Sequence, residues 1–148
     1  MILFINGSPN KDGNTARLAR ELIGDRPYEQ LNLAEHKVYG YGQSYGDDDF
    51  EDVLARIEAA DTLVVGSPVY WHSLSGMLRN LLDRFYGPVR EGSMSGKTLY
   101  FVFQGGAPTR EMLDWGEYTM KRFAALYGMT YGGMATNKNE ATKLGKNI

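Results

Sequence analysis

A run of hydroxyl and amide side chains between Gly7 and Thr15 is the first part of the chain whose residue types could do chemistry. It joins a short apolar run to an amphipathic segment, which places it at the start of a helix. Backbone N–H groups at a helix start carry a partial positive charge and suit a phosphate. The neutral donors that could join them, with a glycine that permits close approach, are Ser8, Asn10, Gly13, Asn14 and Thr15. A simple cap needs one such side chain, so this excess predicts a phosphate site.

The same loop lacks the known nucleotide-binding patterns. It contains neither a Gly-x-Gly-x-x-Gly fingerprint nor a Gly-Lys-Ser/Thr sequence. A phosphomonoester on a cofactor smaller than a dinucleotide is therefore the better prediction.

Two further loops could supply the rest of a ligand site. In the second loop a proline ends a strand and two large aromatic residues follow, which favours a wall for a flat ring system. The residues are Pro68, Val69, Tyr70 and Trp71. Packing over helix ends or at a subunit interface is the alternative. The third loop consists of Gln104, Gly105 and Gly106. Its two glycines would let a planar ligand approach the backbone, although an ordinary tight turn explains them equally well.

Two other groups of titratable residues have simpler structural interpretations. His72 is the residue of this site whose type is most often used for proton transfer, and we favour local packing or hydrogen bonding over catalysis. Asp47, Asp48 and Asp49 could hold a metal ion, but carboxylates opposite the positive end of the following helix are the simpler interpretation. The sequence therefore indicates no catalytic side chain and no metal ligand.

The composition excludes several classes of function. A chain of 148 residues fits one domain over residues 1–148. Its net charge of −2 argues against a dedicated nucleic-acid binder. The absence of cysteine excludes disulfides, thiolate metal sites and cysteine nucleophiles. The opening apolar run is too short for a signal peptide or a membrane span, so we expect a cytoplasmic protein that does not bind a membrane.

Short apolar runs alternate along the chain with amphipathic segments. We expect strands at 2–6, 28–33, 62–66, 98–103 and 129–136. We expect helices at about 14–23, 50–57, 74–85 and 110–127. Such alternation predicts an α/β fold with parallel strands, right-handed crossovers and helices on both faces. Ligands bind these sheets outside the carboxyl ends of the strands, where the three loops lie.

These motifs resemble the flavodoxin-like NAD(P)H-dependent FMN reductase family. The matching segments, within roughly residues 1–135, are 7–9, 13–15, 67–71, 75–80, 83–84, 96–97 and 105–106. The resemblance implies a flavodoxin-like, doubly wound five-stranded parallel sheet in the order 2-1-3-4-5, with FMN at its carboxyl edge. It also implies that the first loop holds the phosphate of FMN and that the other two contact the isoalloxazine.

The chain departs from this family in two places. Asn10 stands where many relatives carry arginine, which removes a charged phosphate contact. Only residues 137–148 follow the fifth strand, too few for the long closing helix of many members. We therefore expect another subunit to cover the apolar sheet surface. Family members are usually dimers or tetramers, and the tyrosine-rich segment 39–45 adds to the expectation of a homodimer or homotetramer.

The resemblance implies an enzyme that passes a hydride from NAD(P)H to FMN, and then electrons to a small-molecule acceptor such as a quinone or flavin. Backbone N–H groups of the second and third loops would stabilise the charge of the reduced ring. A flavodoxin-type carrier without enzymatic activity is the alternative, although such carriers are typically more acidic than a net charge of −2. A signalling receiver domain shares this strand order, but it needs acidic residues where this chain has Gly7-Ser8 and Gly66-Ser67, which argues against that class.

Overall fold

Five parallel strands form one sheet in the order β2-β1-β3-β4-β5 in a computed structural model that describes all of residues 1–148. The strands are β1 Ile2–Asn6, β2 Tyr28–Asn32, β3 Thr62–Pro68, β4 Thr98–Gln104 and β5 Thr130–Ala135. Every neighbouring pair is parallel. The predicted fold class and strand order are therefore confirmed.

Five α-helices connect or follow the strands: α1 Asn14–Ile23, α2 Phe50–Ala59, α3 Gly76–Arg84, α4 Arg110–Leu126 and α5 Lys138–Leu144. Short 3-10 helices span Leu33–Glu35 and Gly145–Asn147. The start of α3 is two residues later than expected because the Ser75 hydroxyl oxygen caps it, accepting from the N–H of Leu78 at 3.3 Å. None of the helices combines the length and apolar composition that a membrane span requires.

Alternation of side chains along the strands divides the core into two layers. Leu3 and Ile5 of β1 belong to the larger layer, which packs under α2, α3 and α4. Ile2 and Phe4 belong to the smaller layer, which packs under α1 and α5. Strands buried on both faces hold the carboxyl edge of the sheet rigidly in place.

The segment after β5 corrects one expectation. Helix α5 packs on α1 and β5 with Ala141 fully buried, and Ala135, Leu144 and Ile148 complete this side of the core. Gly145 lies so close to α1 that a Cβ there would overlap the carbonyl oxygen of Leu22. The expectation that a second subunit must cover this part of the sheet is wrong, because small residues let a two-turn helix cover it.

Residues 36–49 form an irregular segment that an ion pair fixes to α3. The guanidinium of Arg84 donates two hydrogen bonds to the carboxylate of Asp48, at 2.8 and 2.6 Å, and a third to the carbonyl of Tyr39 at 3.1 Å. Its plane also lies over the ring of Phe50, 4.8 Å from the centroid. Asp48 of the acidic triplet therefore holds a loop, and no group of three potential metal ligands is present.

Substituting Asp48 with asparagine is expected to lower the free energy of unfolding at pH 7 by about 2 kcal/mol, because it leaves Arg84 half-buried without its counter-charge. The Arg84 hydrogen bonds hold the pKa of the Asp48 carboxyl below its usual value. The stabilisation is therefore complete above the unfolded pKa of about 3.9 and is lost as the pH falls through the lower folded value.

Urea unfolding of the wild type, Asp48→Asn and the exposed control Asp25→Asn at pH 7 and pH 3 would measure this effect. The deficit of Asp48→Asn should shrink at pH 3. Equal stability of the two variants at pH 7 would contradict the assignment.

Candidate functional site

The carboxyl ends of β1, β3 and β4 bring the three predicted loops to one edge of the sheet. The N–H of Gly7 donates to the carbonyl of Gly66 at 2.8 Å, which joins the first and second loops. The N–H of Val69 donates to the carbonyl of Gln104 at 2.8 Å, which joins the second and third. The loops therefore lie side by side, next to the point where the strand order reverses between β1 and β3.

The start of α1 presents backbone donors that the protein itself does not use. Gly13 is the N-cap, and no side chain accepts a hydrogen bond from the first turn. The N–H groups of Asn14, Thr15 and Ala16 have no acceptor within the protein. Three converging N–H groups at the positive end of a helix are a donor set that fits phosphate oxygens.

Two buried hydroxyl groups lie in the same loop. Ser8 and Thr15 are only 5% and 1% exposed. The Ser8 oxygen accepts from the N–H of Asn10 at 3.1 Å, and the Thr15 oxygen accepts from the side-chain amide of Gln104 at 3.0 Å. Neither hydroxyl donates to an acceptor within the protein, so each proton is available to a ligand.

The other two predicted side chains of this loop, Asn10 and Asn14, are exposed. The side-chain oxygen of Asn14 accepts from the guanidinium of Arg17 at 3.0 Å. Arg17 therefore brings a positive charge to the helix start, where Asn10 supplies none. Lys11 is oriented instead toward Glu35, at 3.8 Å.

Sequence reasoning missed a buried asparagine that organises the loop. The side-chain oxygen of Asn6 accepts from the N–H of Ser8 at 3.1 Å. Its amide nitrogen donates to the carbonyl of Asn10 and to the side chain of Asn32, each at 3.2 Å. Asn6 is fully buried, so these bonds are needed to satisfy it and they hold the loop in one shape. The available sequence signal was an amide ending an apolar strand directly before a glycine.

The second loop contains a tight turn with an unusual backbone. Tyr70 and Ser73 exchange backbone hydrogen bonds of 3.0 and 3.1 Å, and between them Trp71 and His72 have φ angles of 46° and 64°. Bulky residues rarely adopt this left-handed region, and such strain clusters at ligand sites. The turn leaves the Trp71 side chain 94% exposed. At its base, the Ser67 hydroxyl oxygen accepts from the N–H of Ser75 at 2.9 Å.

A cleft of about 280 Å³ separates the second and third loops. It is lined by Val69, Trp71, His72, Gly105, Gly106, Ala107, Pro108 and Met112. A Cβ on Gly105 would lie 3.1 Å from the Cβ of Val69, so glycine allows the two loops to approach closely. A Cβ on Gly106 would meet nothing within 4 Å, which leaves that side of the cleft open. Gln104 ends β4, and its side chain contacts Thr15 of the first loop.

This strand order, with a phosphate-suited loop beside the point where it reverses, defines a flavodoxin-like α/β protein. The chain matches the sequence model for NADPH-dependent FMN reductase over residues 1–141, and it belongs to that family.

Several curated relatives align with part of the chain. YwqN of Bacillus subtilis, assigned as an NAD(P)H-dependent FMN-containing oxidoreductase, is 27% identical over 120 residues, which cover 71% of this chain and 66% of YwqN. An NADPH azoreductase of Bacillus sp. is 32% identical over 85 residues, covering 55% of this chain and 48% of that protein. An iron-sulfur flavoprotein of Methanocaldococcus jannaschii is 30% identical over 97 residues, covering 56% and 50%. The chain thus spans about half to two thirds of these relatives, and it contains no cysteine that could ligate an iron–sulfur cluster.

Solved structures share the fold over nearly the whole chain. The Trp repressor binding protein from Bacillus subtilis superposes with a TM-score of 0.80 at 22% identity, covering 97% of this chain and 98% of that one. The FMN-dependent NADH-azoreductase of Bacillus anthracis, solved with FMN, gives a TM-score of 0.69 at 15% identity, covering 99% and 94%. At these identities the comparison supports the architecture alone.

Proposed function

We propose that this chain binds FMN at the carboxyl edge of its sheet, oxidises NAD(P)H and passes the electrons to a small acceptor such as a quinone or a flavin. The observation that carries the proposal is the set of unused donors at the start of α1, beside a strained aromatic turn, in a chain of the FMN reductase family. Bound FMN would supply a ring that accepts a hydride equivalent from a reduced nicotinamide and returns two electrons to an acceptor.

The first loop would hold the phosphate of FMN. The hydroxyls of Ser8 and Thr15 and the N–H groups at the start of α1 would donate to its oxygens, while Gly13 leaves room for the approach. Asn10 and Asn14 would lie at the exposed side of the phosphate. These donors are neutral, so the helix dipole would supply much of the favourable electrostatics.

The second and third loops would hold the flavin ring. Residues 68–71 would form one wall, with the aromatic side chains at its outer end. The N–H groups of Gly105 and Gly106 have no acceptor within the protein. These N–H groups would stabilise the negative charge that the ring acquires on reduction, without a charged side chain.

The absorption spectrum of the purified protein, with FMN added if it purifies without flavin, tests this proposal. Anaerobic addition of NADPH or NADH should bleach the bound flavin band, and a quinone such as menadione should restore it. Free FMN at the same concentration controls for direct reduction. An oxidised spectrum that persists with both nucleotides would indicate a flavodoxin-type carrier instead, and failure to bind FMN would refute the proposal as a whole.

We also propose that the chain forms a homodimer or a homotetramer through the groove between α3 and α4. The half of this groove toward the amino edge of the sheet, here called the lower groove, is lined by Leu82, Tyr86, Arg122, Phe123, Leu126 and Tyr127. Arg79, Tyr118 and Thr119 lie at its boundary with the other half and line both. Tyr86 and Leu126 are 61% and 39% exposed. Asp83 lines this half as well as Arg122, so two copies related by a twofold axis could pair opposite charges.

Replacing Leu126 with glutamate is expected to produce a monomer, because it would place a carboxylate in an apolar contact. Sedimentation velocity would measure the mass against the 16.6 kDa of one chain. Ala125→Glu is the matched control, since Ala125 is exposed and does not line the groove. A wild-type protein that sediments as a monomer at micromolar concentration would refute the proposed assembly.

A further inference from the structure

The other half of the α3–α4 groove, here called the upper groove, opens beside the cleft between the second and third loops. It forms a cavity of about 750 Å³, and residues that line it include Trp71, His72, Arg79, Asp114, Trp115 and Tyr118. Trp71 and His72 also line the cleft, so the two spaces adjoin at the strained turn. A volume of this size is typical of small-molecule sites.

The walls of the upper groove are unusually aromatic. Trp71 and Trp115 are the two tryptophans of the chain, and both line this cavity. They are 94% and 69% exposed, and Tyr118 on the next turn of α4 is 67% exposed. Large aromatic faces turned toward solvent are suited to stacking on a planar ring.

The groove also contains a positive charge that no acidic group of the chain neutralises. On the two helices of the groove, Arg84 is paired with Asp48 at 2.6 Å and Arg110 with Asp114 at 2.7 Å. Arg122, which lines the lower groove, is like Arg79 in having no ion pair. The Arg79 guanidinium forms neither an ion pair nor a hydrogen bond within the protein, and its neighbour on the next turn, Asp83, lies beyond ion-pair distance. The acidic residue that lines the upper groove, Asp114, is already engaged by Arg110.

We propose that the upper groove binds the electron acceptor and that Arg79 selects planar aromatic acceptors that carry a negative charge, such as a sulfonate or a carboxylate. The aromatic side chains would stack on the ring of the acceptor, and the guanidinium would donate charge-assisted hydrogen bonds to its anionic group. The location beside the cleft would place the acceptor next to the flavin. The identity of the ligand as an acceptor rests on the proposed function, whereas its binding in the groove does not require turnover.

The intrinsic fluorescence of the two tryptophans provides a direct measurement of binding, with no nicotinamide present. Anthraquinone-2-sulfonate and the neutral 2-(hydroxymethyl)anthraquinone would be titrated into the FMN-loaded protein, with N-acetyltryptophanamide as the control for inner-filter effects. The sulfonate is expected to bind about tenfold more tightly than the neutral ring. This preference should fall below about twofold in Arg79→Gln and persist in Arg90→Gln, an exposed arginine outside the groove.

Steady-state kinetics distinguish the acceptor from the other anionic aromatic ligand of the reaction, the nicotinamide dinucleotide. Arg79→Gln should raise the KM for anthraquinone-2-sulfonate and leave the KM values for NADPH and NADH unchanged. A rise in the KM for NADPH alone would mean that the Arg79 guanidinium binds the extra phosphate that distinguishes NADPH from NADH. That result would overturn the proposal.

Two further results would overturn it. One is equal affinity of the wild type for the two anthraquinones. The other is dissociation of an oligomer by Arg79→Gln with no quenching by either ring, which would show that a second copy occupies this half of the groove. If FMN binds and is reduced in any of these cases, the proposed function stands and the acceptor assignment alone fails.

Discussion

Replacing Gly66 with alanine is expected to lower the free energy of unfolding by about 2 kcal/mol, whereas Gly76→Ala should leave it unchanged or raise it by up to about 1 kcal/mol. A Cβ at Gly66 would lie 2.8 Å from Cγ2 of Thr15 and 2.9 Å from the ring of Phe4. Both neighbours are buried and have little room to move. At Gly76, in the first turn of α3, a Cβ would meet nothing within 4 Å.

Gly66→Ala should also weaken FMN binding, because Thr15 is one of the residues that must move to make room for the new Cβ. Urea unfolding would give the stability of both variants, and titration of flavin fluorescence would give their affinity for FMN. Wild-type stability in Gly66→Ala would show that the end of β3 tolerates a side chain. Loss of stability with unchanged FMN affinity would show that Phe4, rather than Thr15, gives way.

The double variant Ser8→Ala/Thr15→Val is expected to bind FMN about 100-fold more weakly than the wild type, and each single variant about tenfold more weakly. Both substitutions remove a buried hydroxyl whose proton has no acceptor in the protein. Each also removes the acceptor of one hydrogen bond, from the N–H of Asn10 or from the side-chain amide of Gln104, so the experiment needs a ligand that reports on the shape of the loop. Each lost hydrogen bond to a charged phosphate corresponds to about 1 to 2 kcal/mol.

Riboflavin, which has the same ring without the phosphate, is the matched ligand for this experiment. The affinity for riboflavin should be nearly the same in the wild type and in the three variants. The preference for FMN over riboflavin should therefore shrink from the wild type to each single variant, and again in the double variant. Thr130→Val removes an exposed hydroxyl from β5, away from the site, and should change neither affinity. An equal loss of both flavins would mean that the substitutions disturb the loop as a whole.

The order of elements could be predicted because each strand is a continuous apolar run and each long helix has its apolar residues at helical spacing. The helix from Asn14 to Ile23 agrees with the prediction at both ends, because a glycine flanks it on each side. Helix α5 was missed because seven residues with one buried alanine carry almost no periodic signal. Its position depends on contact with α1, far away in the sequence.

The position of the three loops at one edge of the sheet could be predicted from residue types, because parallel strands bring their carboxyl ends to the same edge. The contacts within the site could not be predicted, because they join residues distant in sequence. The contact of Gln104 with the flavin ring stays a prediction, whereas the hydrogen bond from its side chain to Thr15, 89 residues earlier, had no signal in the sequence. The left-handed backbone at Trp71 and His72 was equally hidden, since neither residue type favours it.

Helix α1 is held at both ends before any ligand arrives. Its first turn is tied to β4 through Thr15, and its last turn is pressed against Gly145. Binding of FMN should therefore require little ordering of the chain. Calorimetry should then find a small heat-capacity change on binding, and stopped-flow fluorescence should find an association rate that is insensitive to osmolytes. Differences in cofactor retention among related chains would then arise mainly in the dissociation rate, which is the step that a loosened helix would accelerate.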